Sequence, residues 1–177
     1  MSIHGLDKGC YKLYKDKYME VSTEAPKSPT QYDAARQRID AIITRPEFRP
    51  GNPQYMAAAD EIKNNQIRME VNSHHGKLLD LEDKEETPSD DVVSLYTSAL
   101  VEQRGIDLLI HERSTGMPGY RDARNEFRRE LNELRTAHEG SGLPGEVADS
   151  KWDKDFRDIA DRILPPDEQP LSVAQRY

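Results

Sequence analysis

The chain has 177 residues, 35% of them hydrophobic and 33% charged, with a formal net charge of −8. That length supports one domain with a real core, yet the apolar share, even with the ten glycines added, falls below the ~45–50% of an ordinary globular domain. No segment carries the basic excess of a protein that covers nucleic-acid backbone, the single cysteine, Cys10, excludes an intrachain disulfide, and no apolar run approaches the ~18 residues of a membrane span.

The composition is lean because it alternates helical stretches with polar arms. Residues 1–27 read as an N-terminal arm, broken early by Gly5 and Gly9 and closed by Pro26. Within it Tyr11, Tyr14 and Tyr18 fall on one face of a helix. With Val21 and Thr23 they equally suit a hairpin turning at Lys15-Asp16-Lys17. Rings interleaved with lysines also resemble a nucleic-acid contact. Asp7, Asp16, Glu20 and Glu24 nearly cancel that positive charge, so an arm that packs its rings on a neighbouring protein is the preferred reading.

Residues 28–164 are expected to form an all-α domain, a bundle of about five helices. The first opens at Ser28-Pro29-Thr30-Gln31, with a cap, proline at the first helical position and glutamine three residues after the cap. It ends before Pro46, because proline disfavours helix at the residue preceding it. The second begins with Asn52 as cap and Pro53 behind it. Its apolar stripe is ragged, and Asn72-Ser73-His74-His75-Gly76 is expected to weaken or kink it. Residues 80–91 carry seven acids and one lysine, the pattern of a solvated linker.

The best-patterned stretch is 87–139, read as two helices folded together at Ser114-Thr115-Gly116-Met117-Pro118-Gly119. The third helix is expected to start at a Thr87-Pro88-Ser89-Asp90 capping box, to place Val92, Leu95, Tyr96, Ala99 and Leu100 on one broad face, and to reach about Glu112. Gly105 costs it ~1 kcal/mol. The fourth, 118–139, repeats Tyr120, Ala123, Phe127, Leu131, Leu134 and His138 at steps of three and four. Glu126 with Arg129, and Arg129 with Glu133, should form pairs along its outer face. Gly140-Ser141-Gly142 stops it. The fifth is expected to use a Ser150 to Asp153 capping box and to bury Trp152, Phe156, Ile159 and Ile163 before Pro165-Pro166. Residues 165–177 read as an extended C-terminal tail.

Chemistry-bearing residues are sparse. His74 and His75 are adjacent and point about 100° apart, so they do not converge as metal ligands should. His111 and His138 sit where helix C-termini favour a protonated ring. Cys10 lies in the arm, with nothing but lysines to activate it. Asp149, Asp153, Asp155, Asp158 and Asp161 invite a hydrolase reading, but Asp158 and Asp161 fall on the wet side of the fifth helix. No catalytic, cofactor-binding or metal residue is assigned, and no cofactor or small-molecule substrate is expected.

The expected function is therefore that of a non-enzymatic structural subunit of a larger assembly. A virion component fits best, such as a bacteriophage head-to-tail adaptor or capsid accessory protein. Its partners would be copies of itself and neighbouring structural proteins rather than membrane or nucleic acid. The expected docking residues are Tyr11, Leu13, Tyr14 and Tyr18 in the arm, with Leu171, Val173 and Tyr177 in the tail. The alternatives are a helical enzyme or toxin-like effector with a site built from His74, His111 or His138 and nearby acids, and a nucleic-acid-binding regulatory module. Lacking the basic-then-apolar pattern of a signal peptide, the chain is expected to be made in the cytoplasm and not secreted, with incorporation into a virion as its destination.

Overall fold

A computed structural model describes residues 30–141 and 145–165. They form five helices, α1 (Gln31–Ile43), α2 (Pro53–Asp83), α3 (Asp90–Gly116), α4 (Tyr120–Glu139) and α5 (Gly145–Ile163), and no strand occurs among them. The all-helical expectation holds, and the boundaries show what sets each end.

At the end of α1 the chain tightens, with Arg45 N donating to Ile42 O at 3.2 Å, and Pro46 bars a further turn. Asn52 caps α2 by position only. Its side-chain amide donates to Glu47 O at 2.8 Å, and Pro53 behind it needs no partner for a missing N–H. No interruption appears near Gly76, and α2 continues unbroken to Asp83. The acidic run is consequently split. Residues 80–83 form the last turn of α2, and Asp90 and Asp91 form the first turn of α3. In that first turn their charge suits the helix dipole. Between them Glu86 N donates back to Leu81 O at 2.9 Å, a closure that forces Glu85 into left-handed backbone at φ 55°.

The cap of α3 is Ser89, whose hydroxyl accepts from Val92 N, two residues beyond the expected Thr87. Gly105 does not end the helix, which reaches Gly116. Gly119 occupies φ 81°, a conformation that glycine adopts without strain, and the tight turn there releases α4 at Tyr120. Helix α5 starts at Gly145, so Ser150 is an interior residue and not a cap. Its other end is as expected, at Ile163.

Two cores result, and α2 belongs to both. The larger joins Ala35, Ile39 and Ile42 of α1, Ala58, Ala59 and Ile62 of α2, Phe127, Leu131 and Leu134 of α4, and Phe156, Ile159, Ala160 and Ile163 of α5. The smaller joins Ala57 of α2, Ile106 and Ile110 of α3, and Tyr120 of α4. Three consecutive buried alanines, Ala57, Ala58 and Ala59, let neighbours approach α2 from every side.

Neither core holds a residue of α2 beyond Ile67, where α2 and α3 continue as an antiparallel pair. Their facing positions alternate by three and four, as in a two-helix coiled coil. On α2 these are Ala57, Asp60, Asn64, Ile67, Val71, His74, Leu78 and Leu81; on α3 they are Val92, Tyr96, Ala99, Gln103, Ile106, Ile110 and Arg113. All are buried or half-buried, and His75 stacks on Tyr96 with ring centroids 5.8 Å apart.

Candidate interaction surface and the buried polar network

Ionisable and polar groups cluster in three places within this frame, each time tying helices together. The first is Asp60, 1% exposed. Arg113 Nη1 of α3 donates to both its carboxylate oxygens at 2.5 and 2.6 Å, and the Tyr120 hydroxyl of α4 donates to Oδ2 at 2.7 Å. Burial, with the Asp60 bond behind it, pushes the Tyr120 phenol well above its ordinary value. One turn along, Asn64 accepts from Gln103 at 2.9 Å.

Glu61 forms the second, taking Arg124 Nε at 2.9 Å and Arg128 Nε at 3.1 Å from α4. On the far side of α4, Glu130 is 4% exposed and accepts from Arg38 Nε of α1 at 2.5 Å and from Arg129 at 3.0 Å. Burial pushes the Glu130 carboxyl up, but the Arg38 and Arg129 bonds outweigh it and its pKa is lowered. Arg38 also bonds Glu133, and Arg45 grips Glu126 at 2.7 and 3.0 Å, a bond that lowers the Glu126 pKa. Of the charges expected to pair along α4, Glu133 therefore reaches instead to Arg38 of α1, Glu126 to Arg45 just past the end of α1, and Arg129 to adjacent Glu130. A shallow groove between α1 and α4 is lined by Arg38, Arg128 and Arg129, and all three guanidinium groups are committed to these glutamates.

The third is His138, 5% exposed. Its Nε2 lies 2.9 Å from Asp155 Oδ2 but off the ring N–H axis, so the contact is close without being an aligned hydrogen bond. Tyr32 donates to the same oxygen at 2.8 Å and sets its ring edge-on to His138 at 4.8 Å. Trp152 meets the imidazole from α5 at 6.3 Å. Burial first, then the Asp155 bond, raises the Tyr32 phenol to about 12. This cluster fastens α1, α4 and α5 at one end. Asp155 is thus a packing residue, whereas Asp158 and Asp161 are exposed, on the wet side as expected.

The remaining candidate residues are scattered. His74 is half-buried in the α2–α3 seam, His111 is exposed on α3, and both are remote in sequence and element from the His138 cluster. Among the described residues, no three His, Cys, Asp or Glu side chains are placed to share a metal ion. No described helix is long and apolar enough to cross a membrane. Tyr11, Leu13, Tyr14, Tyr18, Leu171, Val173, Tyr177 and Cys10 lie outside the described residues.

What the sequence reading missed is an apolar surface on the α2–α3 pair. Leu95 and Leu100, expected on the covered face of α3, are 53% and 42% exposed, and Val101 and Leu108 are 67% and 54% exposed. Val93 adds to these on α3, and Met69 and Leu79 on α2. The reason is geometric: α2 covers one seam of α3, α4 touches only its C-terminal part, and among the described residues no further helix lies over its outer side. The hint in the sequence was that aliphatic residues at 93, 95, 100, 101 and 108 surround the helix axis, the pattern of a helix buried on more than one side.

The chain matches no protein-family model, no curated protein and no solved structure.

Proposed function

We propose that this chain is a non-enzymatic structural subunit of a larger assembly, with a virion component such as a bacteriophage head-to-tail adaptor or capsid accessory protein as the best-fitting setting. The observation that carries the reading is the α2–α3 hairpin. It extends beyond the main core, leaves seven large aliphatic side chains more than 40% exposed, and ends in residues 80–91, which carry a net charge of −6. Exposed apolar patches rimmed by polar residues mark protein contacts, and an acidic tip favours a basic neighbour. The buried ionisable groups support the same view, because Asp60, Glu61, Glu130 and His138 each contact side chains of other helices, and none of the four lines the groove between α1 and α4. The terminal segments, with Tyr11, Leu13, Tyr14, Tyr18, Leu171, Val173 and Tyr177, serve in this proposal as additional docking elements.

The test is the native mass of the protein in its source. The full chain is expected in a large, stoichiometric particle, and removing residues 1–27 together with 165–177 should abolish its incorporation while leaving the helical circular dichroism intact. Recovery of the native protein only as a free chain, or undiminished incorporation after both deletions, would overturn the proposal.

A further inference from the structure

At 100° per residue, Val101 and Leu108 point almost opposite to the seam by which α3 grips α2. Val101 is 67% and Leu108 54% exposed, with Val93 and Leu100 along one edge. Between them stands Gly105, in mid-helix, where an added Cβ would meet nothing within 4 Å. In a single chain that glycine weakens the helix and answers no packing need. Glycine has a use where another backbone comes close.

We infer that the outer face of α3 is a homodimer interface, covered by α3 of a second copy crossing antiparallel at Gly105. Three features select that occupant. The face is self-complementary, because a two-fold axis near Gly105 sets Val101 of each copy against Leu108 of the other. The same axis brings the exposed Arg104 of one copy beside the exposed Asp107 of the other, opposite charges meeting twice. Finally, the acidic hairpin tips fall on opposite sides of the axis, about 45 Å apart and far beyond the ~8 Å screening length; a parallel pairing would force them together. The size is also adequate. The exposed aliphatic residues of α3 present on the order of 400 Å² of apolar surface, as large as monomers ordinarily tolerate. A helix about 40 Å long can supply the ~800 Å² per partner of a stable interface. This inference deepens the assembly reading by naming one partner.

Sedimentation velocity on the full-length chain, from about 1 to 100 µM, the micromolar part of the affinity scale, tests it. The wild-type chain should be a dimer at the upper end. Val101→Glu with Leu108→Glu should give a monomer of unchanged helical content. Gly105→Leu should raise the melting temperature measured at monomeric concentration yet weaken the dimer at least tenfold. Should the double glutamate variant lose its fold, the charge pair decides: Arg104→Asp and Asp107→Arg should each weaken the dimer, and their combination should restore it. A monomer at about 100 µM, or a dimer indifferent to all these changes, overturns the inference. A dimer that never joins a larger particle keeps this interface and refutes the assembly reading; monomers recovered from particles do the reverse.

Discussion

Replacing Asp60 with alanine should be among the most damaging single changes in the described chain, and the structure sets its size. Asp60 is 1% exposed and receives three short hydrogen bonds, two from Arg113 and one from Tyr120. Its removal leaves a guanidinium without a counter-charge and a buried hydroxyl without an acceptor. Breaking a buried ion pair costs ~3–5 kcal/mol, and the Arg113 side chain is 22% exposed, so water relieves part of that and the low end applies. The orphaned Tyr120 hydroxyl adds ~1 kcal/mol. The expected loss is about 4 kcal/mol, or a fall of about 10 °C in melting temperature for a chain of this size. Urea unfolding at neutral pH, followed by far-ultraviolet circular dichroism, measures it directly. Adding Arg113→Ala to Asp60→Ala should cost much less than the two singles combined, because the charge left behind is then gone. A loss under about 1 kcal/mol, the scale of an ordinary surface change, or strict additivity in the cycle, would refute the claim that Asp60 is held as a buried, paired charge.

Three further outcomes follow from the same contacts. Because the folded Glu130 carboxyl titrates below its ordinary 4.5, its stabilising effect is complete above that value and fades as the pH falls through the lower folded value. Glu130→Gln should therefore lose ~1–2 kcal/mol at pH 7, allowing for the exposure of Arg38 and Arg129, and converge with wild type in acid denaturation curves once the pH has fallen below the lowered folded value. The Tyr32 phenol is raised from 10.0 to about 12, so the folded state holds a proton that the unfolded state releases, and stability should fall as the pH rises through that window; stability measured from pH 9 to 12 should decline less steeply in Tyr32→Phe. Two exchanges should stabilise the hairpin by ~0.5–1 kcal/mol each, Gly76→Ala inside α2 and Glu85→Gly at the left-handed closure, as read by thermal melts.

The helices were legible wherever one residue dictates the backbone. Pro46, Pro53, Gly140 and the Pro165-Pro166 pair mark ends that the structure keeps to within a residue or two. Asn52 was legible as a cap by position, but Thr87, Ser89 and Ser150 are interchangeable in a local pattern, and tertiary packing chooses among them. The seam of α2 was hidden because Asp60, Asn64 and His74 occupy three of its eight positions, which makes an apolar count look ragged. A better signal was available in Ala57-Ala58-Ala59. A helix that is small and apolar on all sides is surrounded, and the acids that follow at once, Asp60 and Glu61, must then be surrounded too. Glu126, Arg129 and Glu133 illustrate the opposite error. Spacing offered them one another on α4, but Arg45 took Glu126, Arg38 of α1 took Glu133, and Arg129 turned to adjacent Glu130. The outer face of α3 could not be judged from sequence, because exposure depends on how many helices pack beside it.

The alanines of α2 carry a consequence for folding accuracy. Small identical side chains fit one another at many offsets, so an alanine-lined helix could slip a turn along its neighbours and lose little apolar contact. The polar groups forbid it. Sliding α3 by one turn would strand Asp60 away from Arg113 and Asn64 away from Gln103, and sliding α4 would part Glu61 from Arg124 and Arg128. Each contact alone contributes modestly to stability, yet together they accept one alignment among several that the apolar core would tolerate. In this chain the hydrophobic residues decide that the helices associate, and the buried ion pairs decide where along their length they stop.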